Sequence, residues 1–182
     1  LNYFVGDNLS NKDTRNFFVF NLAGVTQPIA SATLALYVPG APGDIGPGYE
    51  SPDPSETYEL HDVVTPIASL VGNTGGVAAY NDLGSGVVYG SRTMTAADNG
   101  SVVEISLNPS AIAALNSSDG LFGIGGSITT LDELMNSEHT FAYTEADTNV
   151  AQLRLTLVPE PSALALLGLG VIGLFGYRQR KS

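Results

Sequence analysis

The last 25 residues constrain this chain more than any other stretch. Val158–Ser182 reads VPEPSALALLGLGVIGLFGYRQRKS and has three parts in a fixed order. These are Pro159-Glu160-Pro161, an uncharged run from Ser162 to Tyr177, and a basic end, 178–182, carrying Arg178, Arg180 and Lys181. Proline has no amide donor and disfavours helix in the residue before it, so the Pro-Glu-Pro unit stays extended and open to an incoming enzyme. A transmembrane helix over about 162–177 starts just after Pro161 and stops at the charged tail. At about 1.5 Å per residue it measures about 24 Å, against a hydrocarbon core of about 30 Å. Snorkelling arginines and local bilayer thinning make up the difference at modest cost. Leu164, Leu166, Leu167, Leu169, Val171, Ile172, Leu174 and Phe175 drive insertion by roughly −2 to −5 kcal/mol, from which Gly168, Gly170, Gly173 and Gly176 subtract. Insertion is favourable but weak. The competing reading is a buried helix of a soluble core, but such helices rarely carry four glycines and end on a basic tail. Positive charge on the C-terminal flank puts that end in the cytoplasm and everything before Val158 outside.

In that order, these parts resemble the PEP-CTERM sorting signal of Gram-negative bacteria, over roughly residues 158–181. The resemblance implies that an exosortase in the inner membrane recognises Pro159, Glu160 and Pro161 and cuts nearby. The preceding domain, periplasmic until then, is released to the cell surface or extracellular matrix. That family is associated with exopolysaccharide production and the biofilm matrix. Exosortase and, transiently, the inner membrane are therefore the implied partners, with exopolysaccharide as a further candidate. On this reading the helix is a temporary tether, which weak insertion suits.

Taking the tail away leaves residues 1–157, enough for one domain with a sizeable core. Residues 1–161 hold all 18 carboxylates and, of the cations, only Lys12, Arg15, Arg92 and Arg154, a net charge of −14 with histidine neutral. Such a surface repels phosphate backbones and excludes nucleic acid as a partner. Cysteine is absent, so neither a disulfide framework nor a thiolate metal site is available. No signal peptide is visible. Either an export signal has been removed or the sequence is a fragment that lacks its true beginning. The start Leu1-Asn2-Tyr3-Phe4, which reads like the middle of a strand, favours the second.

From Leu1 to Leu157 the pattern is all-β, with short alternating runs punctuated by Gly, Asn, Asp and Pro. Asn16–Leu22 carries aromatic residues on both faces, which predicts cover on both. Ser31–Val38 puts Ala32, Leu34, Leu36 and Val38 on one face. Glu56–Val64 is a further strand. Val87–Thr95 and Ser101–Leu107 flank Asn99-Gly100 and read as a hairpin. Asn108 caps a helix with Pro109 in its first position, running to about Leu115. Thr130 with Glu133 makes a capping box for about one turn. Gly120–Ile128, His139–Thr144 and Val150–Leu157 complete the strands. Many short strands and few helices predict a β-sandwich, jelly-roll-like in form. The run from Thr14-Arg15 through FFVFNLAGV to ASATLALYV is similar to the opening of bacterial extracellular jelly-roll domains. That likeness implies the fold and transfers no functional residues. Two loops stand out. Pro39–Pro54 holds five prolines and four glycines and reads as a surface excursion or binding loop; Val71–Gly90 is also glycine-rich.

Several patterns could carry chemistry. Asp44, Glu50, Asp53, Glu56, Glu59, Asp62 and Asp82 cluster without an intervening base, and hard oxygens on loops are what Ca2+ requires. Their spacing matches no EF-hand or other calcium motif, so a solubilising surface is the plainer reading; no cofactor is called for, though the pattern is compatible with Ca2+. A glycosidase needs two carboxylates, for instance Glu56 and Glu59, but among eighteen acids such pairs arise by chance. His61 and His139 have no partner at metal-ligand spacing, and no Gly-x-Ser-x-Gly elbow occurs. The G-x-G-x-x-G match at Gly168–Gly173 sits inside the apolar helix without a βαβ unit and is rejected as a nucleotide site. Trp is absent, but Tyr49, Tyr58, Tyr80 and Tyr89 lie in or near the long loops. Of these, Tyr80 and Tyr89 are the candidate sugar platform. The expectation is therefore a non-catalytic, secreted protein. Its alternatives are a carbohydrate-binding module for the exopolysaccharide and, third, a secreted glycan-active enzyme.

Overall fold

The computed structural model describes residues 3–8, 12–44, 46–118, 120–132, 137–142 and 150–159. In chain order they form β1 (Val5–Asn8), β2 (Asn16–Asn21), β3 (Ile29–Val38), β4 (Glu56–His61), α1 (Ile67–Val71) and α2 (Gly76–Asp82). Then come β5 (Val88–Met94), a 3-10 turn (Ala96–Asp98), β6 (Ser101–Ser106), α3 (Pro109–Ser117), β7 (Leu121–Ile128), β8 (Ser137–Thr140) and β9 (Ala151–Leu157). The strands pair antiparallel in the orders β2-β7-β4-β5, β6-β3-β9 and β1-β8. This is the all-β class expected.

The four- and three-stranded sheets contribute to one core. Ala32, Leu34, Leu36 and Val38 of β3 are buried, as their alternation predicts, and pack with Val103 and Ile105 of β6 and with Phe18, Tyr58, Leu60 and Ile124 of the larger sheet. Each Val, Leu, Ile or Phe among them contributes about 1.5–3 kcal/mol when removed from water. In β2, Phe18 enters this core, while Phe17, on the opposite face, packs on a second cluster of Leu70, Ala79 and Leu83. Cover on both faces of β2 is thus present. Its second layer, α1 and α2, occupies a stretch that reads as loop. Helices this short are not stable by propensity; they hold because Leu70, Ala79 and Leu83 dock under Phe17.

β7 explains its own glycines. A Cβ on Gly126 would lie 2.0 Å from the Tyr58 hydroxyl and 2.3 Å from Asn16 Oδ1, and one on Gly125 would lie 2.7 Å from the Leu83 carbonyl. One face of β7 thus admits the buried Tyr58–Asn16 hydrogen bond (2.8 Å) and the other the end of α2.

The Asn99-Gly100 hairpin is a correction. β5 pairs with β4, and β6 pairs with β3. Asn99 has φ −58 and ψ 135, and Gly100 has φ 75, the values of a type II turn. A two-residue hairpin of type I′ needs positive φ at both positions. Here the turn, preceded by the Thr95–Asp98 capping box, carries the chain from the edge of one sheet to the edge of the other.

The helix at Asn108 forms as its cap predicts and runs two residues further, to Ser117. β4 ends at His61 rather than Val64. β8 begins at Ser137 and ends at Thr140, where Phe141 adopts φ 69. Glu133 and Thr144 lie outside the described residues. The Pro39–Pro54 loop is no free excursion. Asp44 accepts from the Tyr37 hydroxyl (2.8 Å) and from the amides of Gly40 and Ala41. Glu50 exchanges backbone hydrogen bonds with His139. The Asn99 side chain bonds both backbone groups of Tyr49.

Candidate functional site

The acidic residues between Arg15 and Arg92 divide by task. Asp44, Asp62 and Asp82 accept backbone amides and close loops: Asp62 takes Val87 N (2.7 Å), and Asp82 takes Thr65 N (2.7 Å). Glu50 and Glu59 face the histidines, at 3.8 Å from His139 and 3.6 Å from His61. Asp53 and Glu56 come together with Glu138 of β8, one carboxylate oxygen of each lying within 4.8 Å of the others. Glu56 is 1% exposed and Glu138 2% exposed, while Asp53 is exposed. Glu56 Oε1 accepts from Ser51 Oγ (2.7 Å) and Oε2 from Thr130 Oγ1. Glu138 Oε2 accepts the Asp132 amide at 3.0 Å. Burial, reinforced by the charges of Asp132 and Glu56, pushes the Glu138 carboxyl up to about 7.

Glu56 and Glu59 stand three apart on one strand and point to opposite faces, so they do not form the carboxylate pair considered from the sequence. His61 is 4% exposed, with Nε2 3.4 Å from Ser127 Oγ; His139 is 3% exposed and lies against the Phe4 ring. Burial pulls both imidazoles below their usual range.

Tyr80 and Tyr89, the candidate sugar platform, do not present two open rings. Tyr89 is a buried β5 residue whose ring stacks on Phe122, centroids 6.1 Å apart. Tyr80, on α2, donates to Asp13 Oδ2 at 2.5 Å, and the Arg15 guanidinium covers one face of its ring at 4.3 Å. The same guanidinium donates to the carbonyls of Tyr80 and Asn81, capping the end of α2. Desolvation and the Asp13 carboxylate push the Tyr80 hydroxyl up to about 12. Tyr49 and Tyr58 are buried as well. These rings are used by the fold.

At the other end of the chain, β9 holds the edge of its sheet up to Leu157, and Val158 N donates to the Pro28 carbonyl at 2.7 Å. Val158 and Pro159 are exposed, so the described residues end at the surface of the folded body. Residues 157–181 match the PEP-CTERM protein-sorting motif. No curated protein matches the chain. The PEP-CTERM motif implies processing by an exosortase-type sorting machinery, and with it a secreted, membrane-processed protein of a Gram-negative bacterium. Of the motif, Pro159 falls within the described residues. Glu160, Pro161, the anchor residues Leu164 to Phe175 and the basic stop Arg178, Arg180 and Lys181 lie outside them. Among the described residues no helix is long and apolar enough to cross a membrane.

Glu138 was not found from the sequence. A signal existed: Ser137-Glu138-His139-Thr140 is a strand with no apolar side chain, three of whose residues are buried. A polar strand taken out of water must find polar partners.

Proposed function

We propose that this protein is a non-catalytic surface or matrix component, delivered through its C-terminal sorting signal. The body is a jelly-roll-like β-sandwich held in the periplasm by a short span over 162–177. An exosortase cuts near Pro159–Pro161 and frees the body to act with exopolysaccharide in a biofilm. The observation that carries the reading is the match of residues 157–181 to the PEP-CTERM motif directly after the last strand ends at Leu157. A protease needs an extended substrate, and Pro159 and Pro161 keep the segment from folding back into the sheet or into a helix. The weak span suits a tether that is used once, and its basic end fits a cytoplasmic C-terminus. The two sheets sharing one core support the sandwich. That Glu56 and Glu59 point apart counts against that one pair as a glycosidase couple.

The test is the mass of the mature protein. In cells with an active exosortase, the protein recovered from the surface is expected to have lost the residues after the Pro-Glu-Pro unit. Replacement of Pro159, Glu160 and Pro161 by alanine is expected to leave the full-length chain in the membrane. Recovery of an intact tail from normally processing cells would sink the proposal.

A further inference from the structure

We propose that Asp53, Glu56 and Glu138 form a Ca2+ site that ties the loop before β4 to β4 and β8. The three carboxylates come from sequence-distant segments, yet one oxygen of each lies within 4.8 Å of the others. No ion pair among the described residues includes any of them. Ca2+ binds oxygen at about 2.3–2.6 Å, so ligands on opposite sides of one ion stand about 4.6–5.2 Å apart. Mg2+ demands near-ideal octahedral geometry and gives up its water reluctantly, so a cluster of three protein carboxylates suits it less well.

The second observation is Glu138. It is 2% exposed and its carboxylate is turned toward the cluster. Oε2 takes the Asp132 amide, but Oε1 is buried with no hydrogen-bond partner. A buried carboxylate oxygen without a donor is costly, and the Glu138 side chain has further acids around it: Asp53, Glu56 and Asp132. A cation supplies what the protein does not. Glu56 is already oriented by Ser51 and Thr130, which hold it as a ligand would need to be held. Asp53, exposed on the loop, leaves an entry path and room for water to complete the shell.

The full-length chain, purified in a mild non-ionic detergent and stripped with a chelator, is melted with and without 10 mM CaCl2. Parallel samples contain MgCl2 or NaCl at matched ionic strength, because a chain of net charge −11 gains from screening alone. With an affinity in the range of about 0.1–1 mM, Ca2+ is expected to raise the Tm by about 3–10 °C. Isothermal titration should give one ion per chain. Glu138→Gln, which keeps the shape, should abolish the response. Asp53→Asn, at an exposed position that does not threaten folding, should weaken Ca2+ binding at least about tenfold. An equal shift with Mg2+ or NaCl would overturn the proposal, as would a Ca2+ response undiminished in both variants.

Discussion

Gly126 sits where two buried side chains must meet. The Tyr58 hydroxyl and Asn16 Oδ1 pass over it, and Asn16 Nδ2 continues to the Tyr3 carbonyl at 2.8 Å. Gly126→Ala drives a methyl into this pair and is expected to destabilise the fold by about 1–3 kcal/mol in denaturant melts. Gly120→Ala, with nothing within 4 Å of the added carbon, should stay within about 0.5 kcal/mol of the parent. His61 makes a different prediction. Burial, helped by Arg15, lowers its pKa from 6.5, against the opposing pull of Glu59 and Asp62. Between the lowered folded value and 6.5 the unfolded chain binds more protons, so stability rises with pH across that window. The contribution is complete above about 6.5 and is lost as pH falls toward the folded value. Melts of wild type and His61→Gln from pH 7.5 to 5 should show a steeper acid loss in the wild type. Parallel curves would rule this out.

At the scale of elements, single asparagines join pieces that sequence order keeps apart. Asn108 caps α3 by accepting from Ala111 N, and its amide donates to Val88 O at 2.6 Å, fastening the helix to β5. Asn108→Ala is expected to cost toward the upper end of about 0.5–2 kcal/mol. Asn99 serves the Pro39–Pro54 loop as a strand partner would, bonding Tyr49 N at 2.6 Å and Tyr49 O at 3.2 Å. Asn99→Ala should speed amide hydrogen exchange at Tyr49 while leaving β3 protected; unchanged exchange at Tyr49 would refute the tether. The cap at Asn108 was legible because it acts within four residues. Asn99 was readable as a turn residue. Its partner, fifty residues away, was not, and neither was the direction in which the turn sends the chain.

For the whole molecule, the position of β9 decides how the tail can be removed. β9 is an edge strand on β3, paired from Ala151 to Leu157, and the sorting motif starts where that pairing ends. A chain ending at Val158 is therefore expected to melt within about 2 °C of the full-length protein. One ending at Val150 strips the partner from Leu34 and Leu36 and should lose its cooperative transition. Equal stability of the two truncations would mean that β9 belongs with the tail.

The sequence by itself determined the sorting signal, the β-rich class, the inward face of β3 and the capped start of α3. Each rests on order or spacing within a few residues, which local chemistry reads directly. Only the tertiary structure decided which strands pair, which glycines are required, that Tyr89 is buried against Phe122 while Tyr80 binds Asp13 under Arg15, and that Glu138 meets Asp53 and Glu56. Those outcomes depend on contacts between residues far apart in the chain, and no local pattern encodes the distance between them.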